Sequence, residues 1–183
     1  MGIPTLIKTL TASSDSSLDF VDGTDDVTLD STYDEYMFVF TDMNPETDGA
    51  YLGFQCNAAG ESDYDETITS STFRAFHYED DSNAGVSYNT TADQAEGTAF
   101  QYLGYGTGSG GDECCAGILH LFSPASTTYV THFYAKVNDY QTNDYLWDAY
   151  IAGYINTTAA INAIQFKYSA GDFDGVVQMY GIA

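Results

Sequence analysis

The chain has 183 residues, of which 44% are hydrophobic and 15% aromatic, so it can bury a core and is too apolar for a disordered tail. Its 27 acidic residues face only four Lys and Arg, which gives a formal net charge of −23. This balance argues against nucleic acid and anionic membranes as partners, because phosphate groups are bound by clustered Lys and Arg. It favours solubility, and high salt or bound cations such as Ca²⁺ would relieve the self-repulsion.

Short apolar runs separated by turn residues recur along the whole chain. We interpret eleven of them as strands, at 3–10, 17–21, 33–43, 50–56, 72–78, 98–105, 116–122, 128–137, 146–155, 161–168 and 176–182. Most of these runs are four to ten residues long, a pattern that is typical of a β-sandwich or barrel.

Helical signals are weak. The segments 91–96 and 156–163 could each form one helical turn, but no segment carries a long stripe with a 3.6-residue period. Parallel strands need crossover connections, usually helices, so the sheets should be largely antiparallel. We therefore predict an all-β fold over 1–183, a single antiparallel, jelly-roll-like β-sandwich of about 10–11 strands with at most one or two helical turns. Residues 1–30 would form an N-terminal attachment arm or edge strands.

No targeting segment is recognised in the sequence. Residues 1–10 lack a long apolar stretch and include Lys8, unlike a signal peptide. No apolar run approaches the roughly 18 residues that a membrane-spanning helix needs. We therefore expect assembly in the cytoplasm and no membrane insertion.

The cysteines Cys56, Cys114 and Cys115 do not form a disulfide framework, because their number is odd and their spacing irregular. Adjacent residues of a strand point to opposite faces, so Cys114 and Cys115 cannot easily bond each other. The sequence contains no Cys-x-x-Cys motif, so the cysteine spacing does not suggest a zinc site. Buried thiols are the interpretation that we favour.

Two patterns associated with chemistry fail on context. Gly106, Gly108 and Gly111 match a dinucleotide-binding fingerprint, but a strand pattern follows where a helix should begin. The segment therefore indicates a flexible hairpin loop. Paired carboxylates also occur, but among 27 acids close pairs arise by chance, so glycoside hydrolysis gains no support from them.

The three histidines, His77, His120 and His132, each lie within an apolar or aromatic strand pattern. No nucleophile elbow, metalloprotease helix or phosphate-binding loop accompanies them. Packed or surface positions are therefore favoured over convergence on a metal, and we predict no catalytic residues and no enzyme activity.

Two acidic loops are candidate Ca²⁺ sites, because Ca²⁺ takes six to eight oxygen ligands that often come from loops. Neither loop has the EF-hand spacing, and solvated acidic loops are the alternative. Otherwise no cofactor is expected. The candidate ligands are Asp22, Asp25 and Asp26 in one loop, and Glu79, Asp80 and Asp81 in the other.

Aromatic residues suggest a second kind of binding site. Tyr145, Trp147 and Tyr150 cluster within six residues, and such rings offer a flat apolar face with a polar group at its edge. They could form a platform on which sugars stack. Packing in the core is the alternative.

Three blocks of the sequence resemble small β-rich virion proteins of marine tailed bacteriophages. The first block includes Tyr-Asp-Glu-Tyr-Met-Phe-Val-Phe at 33–40 and runs on to the Asn-Pro turn at 44–48. The second covers 119–134, and the third 153–157, continuing through 164–166, 171–175 and 180–181. The resemblance implies a location on the virion surface and carries no catalytic residue across.

The sequence thus leads to two functional hypotheses. The first is a non-catalytic virion surface protein, a capsid decoration, cement or head-fibre protein, that forms a homo-oligomer, a trimer on symmetry grounds, and contacts major capsid or tail proteins. The second is a carbohydrate- or receptor-binding adhesin of a tail fibre or tail tip that recognises host surface glycans, with or without Ca²⁺.

Overall fold

The computed structural model describes residues 2–183, and this part of the chain contains strands and loops but no helix. Its twelve strands are β1 (Thr5–Asp15), β2 (Leu18–Val21), β3 (Glu35–Pro45), β4 (Leu52–Ala58), β5 (Ile68–Tyr78), β6 (Ala84–Tyr88), β7 (Gln101–Tyr102), β8 (Cys115–Phe122), β9 (Thr131–Gln141), β10 (Tyr145–Ile155), β11 (Ile161–Tyr168) and β12 (Phe173–Ile182).

The strands form two sheets of unequal size. The large sheet has the order β1-β12-β3-β8-β9-β10-β5-β6, and the small sheet has the order β2-β11-β4-β7. Every pair of neighbouring strands is antiparallel, so the prediction of an antiparallel all-β fold is confirmed. The division into eight and four strands does not establish jelly-roll connectivity, which stays a prediction.

Aromatic side chains from both sheets fill the space between them. Phe38 and Phe40 of β3 contact Phe166 of β11, with ring centroids 5.3 and 5.1 Å apart. Phe54 of β4 meets Phe133 of β9 edge to face at 5.0 Å. Each such pair contributes about 0.5–1.5 kcal/mol to stability beyond the contribution of the surface area that it buries. These contacts between the two sheets show which face of the large sheet is internal.

Strand β4 is buried along its whole length, although it lies in the small sheet. Loops cover its outer side, and the buried Gln55 amide donates hydrogen bonds to the carbonyls of Glu66 (2.9 Å), Thr98 (3.2 Å) and Ala99 (3.2 Å). Buried polar groups need such partners. At β4 the outer face of the small sheet is therefore covered by the protein's own loops.

Several details of the sequence prediction differ from the structure. Strand β6 was not predicted, because Ala-Gly-Val-Ser-Tyr is short and exposed at the edge of the sheet. The strand expected at 98–105 shrinks to the two residues of β7. Neither 91–96 nor 156–163 contains a helical turn. Within 1–30, β1 lies at one edge of the large sheet and β2 at one edge of the small sheet.

Across residues 2–183, the structure has no helix with the length and apolar character needed to cross a membrane.

Candidate functional site

The outer face of the large sheet is open to solvent over its central strands. In β9 every second residue from Thr131 to Asp139 is buried, while His132, Tyr134, Lys136 and Asn138 are exposed. Strand β10 alternates in the same way, because successive side chains of a strand point to opposite faces. The even-numbered residues of β9 and β10 therefore form the outer surface.

A notch lies in this surface where two small residues face each other across neighbouring strands. Ala152 of β10 is paired with Ser71 of β5 on one side and with Tyr134 of β9 on the other. Both small residues are exposed. Their short side chains leave the sheet floor bare, and larger side chains surround it.

Aromatic rings form the walls of the notch. On one side Phe73 and Tyr150 face each other across β5 and β10, and their rings stack at 4.9 Å with an interplanar angle of 3°. On the opposite side Tyr154 lies 5.9 Å from the ring of its partner His132. Tyr134 completes the enclosure, and it is 43% exposed. Flat rings around a shallow floor provide surfaces on which an apolar face can stack.

Two hollows meet at this floor. The first has a volume of about 390 Å³ and extends towards Phe73 and Tyr150. The second has a volume of about 580 Å³ and extends towards His132 and Tyr154. Both volumes fall within the roughly 300–1,000 Å³ that is usual for small-ligand sites.

Polar groups without protein partners lie among the rings. Within residues 2–183, no side-chain hydrogen bond engages the hydroxyls of Ser71, Tyr134 and Tyr154 or the imidazole of His132. An exposed hydroxyl can both donate and accept a hydrogen bond. The notch therefore combines apolar ring faces with several free hydroxyl groups.

Lys136 is the one Lys or Arg among the described residues that line the notch, and it is already paired. Lys136 lies 3.5 Å from the Asp148 carboxylate and 5.2 Å from the centre of the Tyr150 ring. The Tyr150 hydroxyl also donates a 3.0 Å hydrogen bond to Asp148. Charge at this end of the notch is therefore balanced locally.

The structure does not bring Tyr145, Trp147 and Tyr150 together as one platform. Tyr145 and Trp147 point inwards and are 8% and 3% exposed, whereas Tyr150 points outwards. The reason is the two-residue period of the strand, which separates odd-numbered from even-numbered positions. Of the three, only Tyr150 lines the notch.

Trp147 belongs instead to a stack of rings on the inner side of β10. Arg74 places its guanidinium 3.7 Å from the centre of the Trp147 ring and 5.0 Å from that of Phe76. Trp147 stacks on Tyr105 at 4.9 Å, and Tyr105 stacks on Tyr51 at 4.3 Å. This stack holds the loop that contains Tyr105 against the back of the sheet.

The first candidate Ca²⁺ loop does not assemble a metal site. In residues 2–183 no group of three or more His, Cys, Asp or Glu side chains is placed to hold a metal ion. Asp22 accepts a 2.8 Å hydrogen bond from the Leu29 amide. The backbone carbonyl of Asp25 accepts one from Lys8, and Asp25 and Asp26 both have positive φ. Of the three carboxylates, that of Asp22 is engaged in the turn, and the three do not converge.

The second candidate loop is occupied in a similar way. Asp80 accepts a 2.9 Å hydrogen bond from the Ser82 amide, and its pKa lies below the usual value because of the bonds from Ser82. Asp81 lies 3.0 Å from His77 Nε2. Asp80 and Asp81 thus make contacts within or beside the β5–β6 connection, and with Glu79 they form no shared cation site in the described chain.

The three histidines lie on one face of the large sheet but do not converge. His120 is paired with Glu35, and its ring stacks on Tyr134 at 4.4 Å. His132 is exposed beside Tyr154, and His77 lies near the β5–β6 turn. His120 therefore supports one wall of the notch from behind.

All three cysteines are free, and the expectation that they are buried is met by two of them. Cys56 and Cys115 are buried and Cys114 is half-buried, and burial raises the pKa of all three thiols above the usual value. The glycine-rich segment at 106–111 is a loop, as expected, and β8 is the next element after it. The loop is not a hairpin, because it joins β7 of the small sheet to β8 of the large sheet.

One buried carboxyl lies on the inner face of β9. Asp139 is fully buried and accepts hydrogen bonds from the Thr107 hydroxyl (2.6 Å) and the Tyr105 amide (3.3 Å). Burial is the main cause that raises its pKa to about 6. Because Asp139 points away from the notch, this carboxyl cannot reach a ligand bound there.

Sequence reasoning missed most of the notch: Ser71, Phe73, Tyr134, Ala152 and Tyr154. A signal for part of it was present in the alternation of the strands. Tyr134, Tyr150 and Tyr154 occupy even-numbered positions of β9 and β10, whereas the core residues of these strands occupy odd-numbered positions. No local signal could place Ser71 and Phe73 beside them, because the β5–β10 pairing joins segments about eighty residues apart.

Comparison of the chain with protein-family models, with curated proteins and with solved structures found no match.

Proposed function

We propose that this protein is a non-catalytic glycan-binding protein, and that the notch over Ala152 and Ser71 is the site where the sugar binds. The observation that carries the proposal is a set of four aromatic side chains around a floor of small residues, of which Phe73 and Tyr134 are exposed and Tyr150 and Tyr154 half-buried. This is the second of the two hypotheses drawn from the sequence, moved from the Trp147 cluster to the outer face of the sheet.

The chemistry of the notch suits a sugar. A sugar ring has an apolar face of C–H groups that can stack on an aromatic ring, and hydroxyls around its edge. The free hydroxyls of Ser71, Tyr134 and Tyr154 lie where such an edge would need hydrogen-bond partners. The rings stand on strands of a rigid sheet, so little conformational entropy would be lost on binding.

The absence of catalysis forms part of the proposal. Asp139 is the carboxyl whose pKa is raised to about 6, and a raised pKa is what a general acid would need. It is sealed on the inner face of β9. Asp148, which lies near the notch, is engaged by Lys136 and Tyr150.

A glycan array tests the proposal, using the intact protein and the variant Ala152→Trp. The new indole would fill the floor of the notch, so we expect the intact protein to bind at least one class of glycan and the variant to lose that signal. Ala116→Trp is the matched control, because Ala116 is an exposed alanine of the same face outside both hollows. An empty array, or binding that survives Ala152→Trp, would contradict the proposal.

A location on the virion surface is the second candidate, and its support is the resemblance of the three sequence blocks. These blocks fall on β3, on parts of β8 and β9, on the end of β10, and on parts of β11 and β12. In this proposal the protein is a capsid decoration, cement or head-fibre protein that assembles as a homo-oligomer, a trimer on threefold capsid sites, and contacts major capsid or tail proteins.

Immunogold labelling of purified particles tests the location. An antibody against the recombinant protein is expected to decorate heads or tails in electron micrographs, with pre-immune serum as the control. Particles that remain unlabelled would contradict this candidate and leave glycan binding untouched. Both functions can hold together, since a particle protein can also attach to a glycan.

A further inference from the structure

We infer that the ligand of the notch is an uncharged oligosaccharide of at least two sugar units, lying along β9 and β10 across both hollows. This inference rests on the proposed glycan-binding function and specifies the class of glycan.

The extent of the groove indicates more than one sugar. The two hollows share Ser71, Tyr134 and Ala152, so they form one continuous groove. Phe73 lines only the first hollow, and Tyr154 only the second. Tyr150 and Tyr154 lie on the same face of β10 and are separated by roughly 13 Å at the usual rise per residue. A single sugar ring cannot contact both walls at once.

The charges around the groove indicate an uncharged ligand. Lys136 is the only Lys or Arg among the residues that line the two hollows, and Asp148 already neutralises it. The whole chain carries a formal charge of −23. A carboxylated or sulfated sugar would meet repulsion at long range without a free cation to hold it. An uncharged chain avoids that cost.

A second copy of this protein is a less suitable occupant. Two copies that met face to face would each bring a large negative charge to the contact, and like charges across an interface are unfavourable. They would also bury the free hydroxyls of Ser71, Tyr134 and Tyr154 against the same groups of the other copy. Hydroxyls of a sugar chain can satisfy these groups one by one.

Isothermal titration calorimetry of the full chain tests the inference with defined sugars. The uncharged probes are cellotetraose, maltotetraose and mannotetraose, each compared with its monosaccharide. The acidic probes are a tetragalacturonate and a sulfated carrageenan tetramer. We expect an uncharged tetrasaccharide to bind at least about fivefold more tightly than its monosaccharide and than either acidic probe.

Variants at the two ends of the groove test its length. Phe73→Ala and Tyr154→Ala each remove the wall of one hollow, so each is expected to weaken tetrasaccharide binding by about fivefold. Tyr154→Phe retains the ring and should retain most of the affinity. Tyr180→Ala is the matched control, because Tyr180 lies on β12, three strands from β9 in the same sheet. Circular dichroism and melting curves establish that each variant is folded.

Each adverse outcome has a distinct meaning. Equal or tighter binding of an acidic probe through the same residues would overturn the uncharged ligand and leave the glycan-binding function standing. A monosaccharide that binds as tightly as its tetrasaccharide would overturn the extended site alone. If no glycan binds here or on the array, both proposals fail. A dimer seen by light scattering and broken by Ala152→Trp would assign the groove to a second copy instead.

Discussion

The hydroxyl of Thr107 donates a 2.6 Å hydrogen bond to the Asp139 carboxylate, and both residues are fully buried. This bond ties the loop between β7 and β8 to the inner face of β9. The backbone passes so close at Gly104 that a Cβ there would lie 2.6 Å from Asp139 Oδ1. Cys114, Cys115, Tyr145 and Tyr168 are titratable neighbours of the carboxyl. No Lys, Arg or His among residues 2–183 forms an ion pair with Asp139, so the loop is held by an ionisable group without a cation partner.

The raised pKa of Asp139 predicts that its contribution to stability is lost as the pH rises. The pKa is about 6 in the folded state and about 3.9 in an unfolded chain. Folding therefore favours the protonated form, and the stabilisation is complete below about pH 4 and lost as the pH passes 6. The expected difference is roughly 2–3 kcal/mol between pH 4 and pH 7.5.

Urea unfolding of the wild type and of Asp139→Asn at the two pH values measures this contribution. The amide cannot ionise, so the free energy of unfolding of the wild type should rise relative to that of the variant as the pH falls. Asp112→Asn is the control, because Asp112 is exposed. A wild type and an Asp139→Asn variant with parallel pH profiles would contradict the prediction.

The stack behind β10 predicts that Arg74 stabilises the protein through its planar group. The guanidinium lies 3.7 Å from the centre of the Trp147 ring, and a cation over such a ring contributes about 0.5–2 kcal/mol. Arg74→Ala should lower the free energy of unfolding by about 1–3 kcal/mol, since packing is lost as well. The free energy of unfolding of Arg74→Lys should lie between those of the wild type and Arg74→Ala, because an ammonium group cannot stack on the ring as a planar guanidinium does.

Trp147 is the only tryptophan, so its fluorescence reports on this stack directly. Its emission should shift towards that of a solvated indole in Arg74→Ala. Lys167→Ala is the matched control, because Lys167 lies 4.0 Å from the centre of the Phe100 ring and that variant also removes a cation from an aromatic face. The same spectral shift in both variants would show that Arg74 has no specific role.

The excess of acidic groups predicts that NaCl stabilises the fold. Among residues 2–183 the ion pairs are His77–Asp81, His120–Glu35 and Lys136–Asp148, so most of the 27 acids face no cation. Raising the salt from 0.01 M to 1 M shortens the Debye length from about 30 Å to about 3 Å. The midpoint of thermal unfolding should therefore rise over this range. A midpoint that stays constant or falls would show that self-repulsion is negligible.

Calcium is expected to act only through ionic strength. Asp22 and Asp80 are engaged in turns, and the acids of the two candidate loops do not converge on one point among residues 2–183. The unfolding midpoint in CaCl₂ should therefore match that in MgCl₂ at equal ionic strength. A rise that saturates at low millimolar CaCl₂ alone, and that Asp22→Asn or Asp80→Asn abolishes, would establish a specific site after all.

How far the sequence predicts the fold is clear from particular strands. The run at 161–168 was predicted with the bounds that the structure gives to β11. Its apolar residues and flanking polar segments are local properties, and local properties suffice to locate a buried strand. The exposed β6 was missed because its stability comes from pairing with β5, which a five-residue segment does not reveal.

The candidate site was harder to predict than the strands. Trp147 was selected because it is aromatic and close to Tyr145 and Tyr150, but proximity in a strand places neighbours on opposite faces. The structure puts Trp147 under Arg74 and leaves Tyr150 outside. Phe73 becomes the stacking partner of Tyr150 only through the register in which β5 pairs with β10.

The sequence by itself determined most of the strands, their antiparallel pairing and the acidic character of the surface, because these follow from local patterns and composition. Tertiary structure alone decided which face of each strand is covered and which residues from distant segments become neighbours. The physical reason is that burial of one face of the central strands of the large sheet favours a single register for them, whereas the exposed edge strand β6 takes its register from β5. That register places Ala152 opposite Ser71, with Tyr134 beside them, and so creates the notch.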